Sequence, residues 1–237
     1  LKTTAVTASG QPRDRFHYTI PTDQYAAYTR DGVSPFFGYG MTFAMIRVVP
    51  PRLVMVAEVE PGSPAALAGL SRGATIVRID GEDVLDSSNV AVFNAALAPK
   101  TDQETHWFWV VDSGETASRP VSLTPQRVLT QPVKRVAVLD TPTGPVGYLA
   151  FDEHLAVAER PLIDAIAALK AAAITDLVVD LRYNRGGSSA IASELAFMIA
   201  GQKQTTDRAF QQVVFNDKRQ SENFSQPFLW QTVHADP

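Results

Sequence analysis

The 237-residue sequence predicts a two-module chain of the α+β and α/β classes: a β-rich module, then an α/β unit built on a parallel strand pair. Three observations carry this. Between residues 33 and 127, short apolar runs are separated by turn signals, as in a set of short strands. Between residues 147 and 201, apolar runs of strand length alternate with apolar positions at helical spacing, which implies a parallel pair in a covered sheet. Within that stretch, residues 176–201 (DLVVDLRYNRGGSSAIASELAFMIAG) pass from a strand through a Gly-Gly turn straight into a helix.

Residues 1–14 are polar and small, without periodicity, and read as a linker or leader. Residues 15–30 carry Phe16, Tyr18, Tyr25 and Tyr28 and predict a short helix or arm docked on the module after it. The leader and arm together occupy residues 1–32. Strands are expected at 40–49 and 53–59, with Pro50-Pro51 forcing the turn between them. In EPGSPAALAGL, Ser63 is placed to cap a helix, Pro64 to occupy its first position and Gly69 to stop it. Residues 74–79 form the next strand, with a hairpin-type turn at Asp80-Gly81. Ser87 or Ser88 is expected to cap a second helix, where Val90, Phe93, Asn94 and Leu97 recur at helical spacing before Pro99. Strands at 106–112 and 119–124 flank a Ser113-Gly114 turn and complete a module spanning 33–127.

Residues 128–134 read as a connector into the second module, 128–237. A strand at 147–151 is followed by a helix marked by Leu162, Ile163, Ile166 and Leu169, then by a strand at 176–181. The next helix, 189–200, is expected to bury Ile191, Leu195, Met198 and Ile199 and to stop at Gly201. Residues 210–215 suggest one more strand, after which the sequence turns polar.

Composition narrows the function classes. With 21 basic and 25 acidic residues the net charge is −4, which gives no electrostatic footprint for nucleic acid or an anionic membrane. The absence of cysteine excludes thiol nucleophiles, disulfides and cysteine-rich zinc sites. His17, His106, His154 and His234 are scattered without ligand spacing, so no metal site is expected. The sequence begins at Leu1 without an initiator methionine or signal peptide, which suggests a trimmed chain from which any targeting segment has been removed.

The Gly186-Gly187 turn is the most informative point. Glycine permits close approach, and the first turn of a helix leaves its amides without internal acceptors, so the corner is suited to a phosphate, a carboxylate or a developing oxyanion. RGGSSA lacks the lysine of a phosphate-binding loop, and the dinucleotide fingerprint is missing too.

Residues 33–127 resemble a PDZ domain of the kind attached to bacterial proteases. The matching residues are Phe37-Gly38-Tyr39-Gly40-Met41, Glu60-Pro61-Gly62-Ser63-Pro64-Ala65-Ala66 with Ala68-Gly69-Leu70, Gly73-Ala74-Thr75-Ile76 and Ile79-Asp80-Gly81. Ala74 stands where that family often has aspartate. The resemblance implies capture of free peptide C-termini by strand addition, with the carboxylate on Gly38, Tyr39, Gly40 and Met41 and the side chains flanked by Val90, Phe93, Asn94 and Leu97.

The second module resembles the carboxyl-terminal processing, or tail-specific, serine proteases. It does so through Gly147-Tyr148-Leu149, Asp176 to Asn184, Gly186-Gly187 and Ala192-Ser193-Glu194-Leu195-Ala196. This implies part of a ClpP/crotonase-like α/β core, catalysis by a Ser-Lys dyad without a cofactor, and protein or peptide substrates with free C-termini. It also implies a periplasmic or cell-envelope location, and it gives the amides of Gly186 and Gly187 the oxyanion role. The family's Ser-Ala-Ser-like motif and its lysine do not occur before Pro237, so the dyad is expected downstream and this chain is expected to be inactive alone. Ser188 and Ser189 suit a helix cap, and Ser193 lies within a helix without a lysine nearby. Arg185 replaces the usual Gly or Pro and is expected to be solvated; Asp180, Arg182 and Asn184 are expected to tie down the strand end. His154, beside Asp152 and Glu153, is expected as an exposed loop residue. A peptide-binding protein on a protease-like scaffold and a crotonase-like acyl-CoA enzyme are the alternative readings.

Overall fold

The computed structural model describes residues 3–8, 13–14 and 19–229. Phe16, His17, Tyr18 and His234 lie outside the described residues. The leader is not featureless, since Arg13 N donates to Ala5 O at 2.9 Å. Helix α1 spans Thr22–Asp31 and ends at Gly32, which adopts φ 75°. An added Cβ there would lie 2.9 Å from Thr130 O, so this helix stop is also a point of close chain approach.

Strands β1 (Val33–Gly38), β2 (Met41–Arg47) and β3 (Leu53–Val59) come next, followed by helix α2 (Pro64–Leu67). Ser63 Oγ accepts from Ala66 N at 3.2 Å, so the expected cap and proline positions hold. Strands β4 (Thr75–Ile79) and β5 (Glu82–Asp83) flank a turn in which Asp80 and Gly81 both have positive φ. Helix α3 (Val90–Leu97) starts after Asn89 with no side-chain cap. The expected serine caps are corrected here: Ser87 Oγ instead donates to Glu82 Oε2 and accepts from Asn89 N. Strands β6 (His106–Val111) and β7 (Ser118–Leu123) complete a six-stranded sheet in the order β2-β3-β4-β6-β7, with β5 beside β4. Its core gathers Val54, Ile76, Ile79, Phe93, Phe108, Val110 and Leu123, with Tyr39 edge-on to Phe108 at 5.4 Å.

The expected connector is largely strand. β8 (Gln126–Leu129) pairs antiparallel with β1, and β9 (Val133–Thr141) forms a hairpin with β10 (Gly144–Phe151). β9 escaped the sequence reading because VKRVAVLDT keeps charged residues among its apolar ones. Helix α4 (Glu159–Ala171) crosses over to β11 (Asp176–Asp180), which pairs parallel with β10. The parallel pair is therefore as expected, but the sheet is not covered on both faces. Leu149 and Phe151 face α4 and helix α5 (Ser189–Ala200), whereas Val178 on the opposite face is 48% exposed. α5 buries Ile191 and Leu195 as expected; Ile199 is exposed, and Ser193 and Glu194 are buried instead. Helix α6 (Gln202–Thr205) and strands β12 (Ala209–Val213) and β13 (Phe224–Pro227) follow, the last of these inside the stretch read as merely polar.

Candidate functional site: a glycine corner between two modules

The corner forms where β10 and β11 end side by side. Asn184 fixes it from both sides: Nδ2 donates to Phe151 O at 2.9 Å, and Oδ1 accepts from Gly186 N at 2.8 Å. His154 N then donates to Gly186 O, and Ser188 N to His154 O, each at 2.8 Å, which makes a one-residue parallel bridge between His154 and Gly187. Gly187 has φ 131°, and a Cβ there would fall 2.5 Å from His154 O. Only glycine fits that approach without displacement of main chain.

These bonds separate the two amides named from the sequence. The Gly186 amide is occupied by Asn184, while the Gly187 amide donates to no acceptor among the described residues. Ser188 caps α5, its Oγ accepting from Ala190 N at 3.2 Å, as the sequence implied. Ser193 is 0% exposed and its Oγ accepts from Leu229 N at 2.8 Å. Among the described residues no lysine bonds to a serine hydroxyl.

A cleft of about 540 Å³ opens over the corner, walled by α1 on one side and by Glu153, His154, Arg185 and Gly187 on the other. Tyr28 of α1 donates to Glu153 Oε1 at 2.9 Å. His154 is not the exposed loop residue expected from its neighbours. Its ring packs edge-on to Phe151 at 4.6 Å, and burial holds its pKa below the usual histidine value, favouring the neutral ring at pH 7. Asp152 and Glu153 are buried too. Arg185, expected to be simply solvated, is 60% exposed but reaches Glu153 Oε1 at 3.4 Å and Thr42 Oγ1 on β2 at 3.2 Å. Asp180 and Arg182 form the expected strand-end tie. Arg182 Nη2 lies 2.6 Å from Asp180 Oδ2, which also accepts from Tyr148 Oη at 2.5 Å, and both donors hold the Asp180 pKa well below the usual carboxylate range.

In the first module, β2 is an edge strand of its sheet and so has one side open to a further strand. The loop before it shows the same feature as the corner: the amides of Tyr39 and Gly40 donate to no acceptor among the described residues, while their carbonyls accept from Ala65 and Glu60. Gly40 has φ 73°, and a Cβ there would meet Ser63 Cβ at 2.2 Å. Val90 and Asn94 of α3 are exposed and Leu97 is half-buried; Phe93 is only 7% exposed and belongs to the core.

Residues 55–98 match the PDZ domain family, and residues 145–231 match peptidase family S41. The first module is thus similar to a PDZ domain and the second to part of an S41 peptidase. A carboxyl-terminal-processing protease of Picosynechococcus sp. is 30% identical over 138 residues, which is 57% of this chain and 32% of that protein. Carboxyl-terminal-processing peptidase 2, chloroplastic, of Arabidopsis thaliana is 28% identical over 151 residues, 62% of this chain and 28% of that protein. The chain thus spans about a third of the length of the curated relatives it matches. The crystal structure of a putative S41 protease from Bacteroides fragilis superposes with a TM-score of 0.65 at 23% identity, covering 84% of this chain and 54% of that one, a likeness of fold. Among the described residues no helix is long and apolar enough to cross a membrane.

The sequence reading missed Tyr28, Thr42 and Glu153 as neighbours of the corner. No local pattern could have found them, because α1, β2 and the end of β10 are brought together only by tertiary folding.

Proposed function

We propose that this chain is the substrate-capturing part of a serine-type carboxyl-terminal processing peptidase. The PDZ module takes the free C-terminus of a protein or peptide along β2, its carboxylate on the amides of Tyr39 and Gly40. The S41 core contributes the Gly187 amide to the oxyanion that forms when the scissile carbonyl is attacked, and a serine with a lysine base from outside this chain supplies the nucleophile. The observation that carries the reading is the unclaimed Gly187 amide. It is held in a one-residue parallel bridge to His154, in a corner where the Gly186 amide and the Asn184 side chain are bonded, with a PDZ edge strand linked to it through Arg185 and Thr42. The resemblance extends the proposal to a periplasmic or cell-envelope location.

A second reading, a non-catalytic peptide-binding protein on a protease-like scaffold, is favoured by the absence of a bonded serine–lysine pair among the described residues. Both readings share the carboxylate site. Fluorescence anisotropy with peptides that differ only in a free or amidated C-terminus tests it: the free acid should bind at least about tenfold more tightly, as charge-assisted hydrogen bonds to two amides require. Equal affinities refute carboxylate capture. Cleavage of a tailed protein by a longer native chain, absent in this one, separates the peptidase from the scaffold.

A further inference from the structure

The junction between the modules holds a charge cluster that the peptide and corner chemistry leave unused. Glu58 and Glu60, from β3 and its end, face Lys134 of β9 and Asp152 just beyond β10, so two of the four groups come from each module. Lys134 Nζ donates to Glu60 Oε1 and lies 3.9 Å from Asp152 Oδ2; the Lys134 side chain is only 11% exposed. Glu58 lines the same cleft as Asp152, within hydrogen-bonding reach of it across the junction. Two carboxyl groups can share a hydrogen bond only while one of them carries a proton. Three carboxyl groups therefore converge on one ammonium, and a single proton decides whether Glu58 and Asp152 attract or repel.

We propose that Glu58, Glu60, Lys134 and Asp152 form a proton-dependent latch between the PDZ module and the S41 core, closed while Glu58 is protonated and loosened when it ionises.

The surrounding charges leave no second cation to take over. The junction cleft, about 560 Å³, is also lined by Arg72, which donates to Ala57 O and Tyr183 Oη. Arg135 lies over the Tyr148 ring, and Arg182 is committed to Asp180. Arg185 crosses the junction farther along, to Thr42, and is paired with Glu153. No histidine lines the cleft among the described residues; His106 pairs with Asp80 inside the PDZ module. Burial first, then the bond to Asp152 and the charges of Asp152 and Glu60, push Glu58 up to about 7 against the opposing pull of Lys134. A docked-state pKa raised above the ordinary carboxylate value means that docking is favoured at low pH and weakens as pH rises from about 4.5 to about 7, with little change above that. Because Glu58 is only half-buried, water screens part of the effect, and the ratio of docked to open molecules should fall on the order of tenfold across the window.

The latch concerns docking alone and does not depend on the proposed peptidase activity. Since the chain has no cysteine, dyes can be placed at Glu115→Cys on the PDZ module and Lys170→Cys on α4 without background labelling. Energy transfer in this doubly labelled chain should change between pH 5 and pH 8, with circular dichroism unchanged. Glu58→Gln, whose amide keeps a donor for Asp152 at every pH, should remain docked at pH 8. Energy transfer that does not vary with pH, opening at the acid end instead, or a wild-type response in Glu58→Gln each overturns the latch. Should Glu58→Gln fail to fold, Asp152→Asn decides: a diminished pH response supports the latch and an unchanged one overturns it.

Discussion

Replacing Gly187 by alanine should damage the S41 core far more than the same change one residue earlier. The φ of 131° is strained for any L side chain, and the added Cβ would lie 2.5 Å from His154 O and 2.9 Å from His154 C. Both are main-chain atoms pinned by two hydrogen bonds of 2.8 Å, so no side chain can rotate away to make room. Backbone strain of about 1–3 kcal/mol and overpacking of about 1–3 kcal/mol together give an expected loss of about 3 kcal/mol. For a chain of this size that lowers Tm by about 6–12 °C. Gly186→Ala is the internal control: its φ is 81°, but its Cβ would meet no atom within 4 Å, so only the conformational cost of about 1–2 kcal/mol applies. Urea denaturation followed by circular dichroism, with a thermal melt, measures both variants. Equal losses, or a loss below about 0.5 kcal/mol for Gly187→Ala, would refute the claim that the His154–Gly187 bridge requires a bare α-carbon.

Phe93→Ala should destabilise the PDZ module by about 3–5 kcal/mol through a core cavity, whereas exposed Asn94→Ala should leave the melt unchanged and alter only peptide affinity; a mild Phe93 variant would move that side chain from core to groove. Asp180, held below its ordinary pKa by Arg182 and Tyr148, contributes stability that is present above the unfolded carboxylate value near 3.8 and lost as pH falls below it. Asp180→Asn should therefore lose more stability at pH 7 than at pH 3 in urea midpoints, and a loss independent of pH would contradict the pairing.

Much of the fold was readable because its signals are local. Ser63-Pro64 sets a helix start, Asp80-Gly81 a tight turn, and the spacing of Leu162 and Leu169 a helix face, each through chemistry confined to a few residues. β9 and β13 were missed because strand formation there depends on partners: VKRVAVLDT becomes a strand by pairing with β10, and FSQP by pairing with β12. At the corner, the strand end and the Ser188 cap were likewise legible. The distinction between the Gly186 and Gly187 amides was not, since it depends on where the Asn184 side chain turns. His154 and Arg185 were misjudged for a related reason. His154 follows Asp152 and Glu153 in sequence, yet its ring packs against Phe151, and Arg185 lies in a glycine turn, yet it reaches Glu153 and Thr42 in space.

Helix α1 changes how the chain should be divided for experiment. By sequence, residue 32 is a natural place to cut, with a dispensable arm on one side and the PDZ module on the other. In space, Tyr25, Tyr28 and Thr29 form one wall of the cleft over Gly187, and Gly32 O accepts from Thr130 N at the entrance to the S41 core. A truncation begun at Val33 would leave the PDZ sheet intact and strip the far module of its wall. Loss of function in such a shortened protein would then report a missing boundary of the cleft rather than a missing recognition domain.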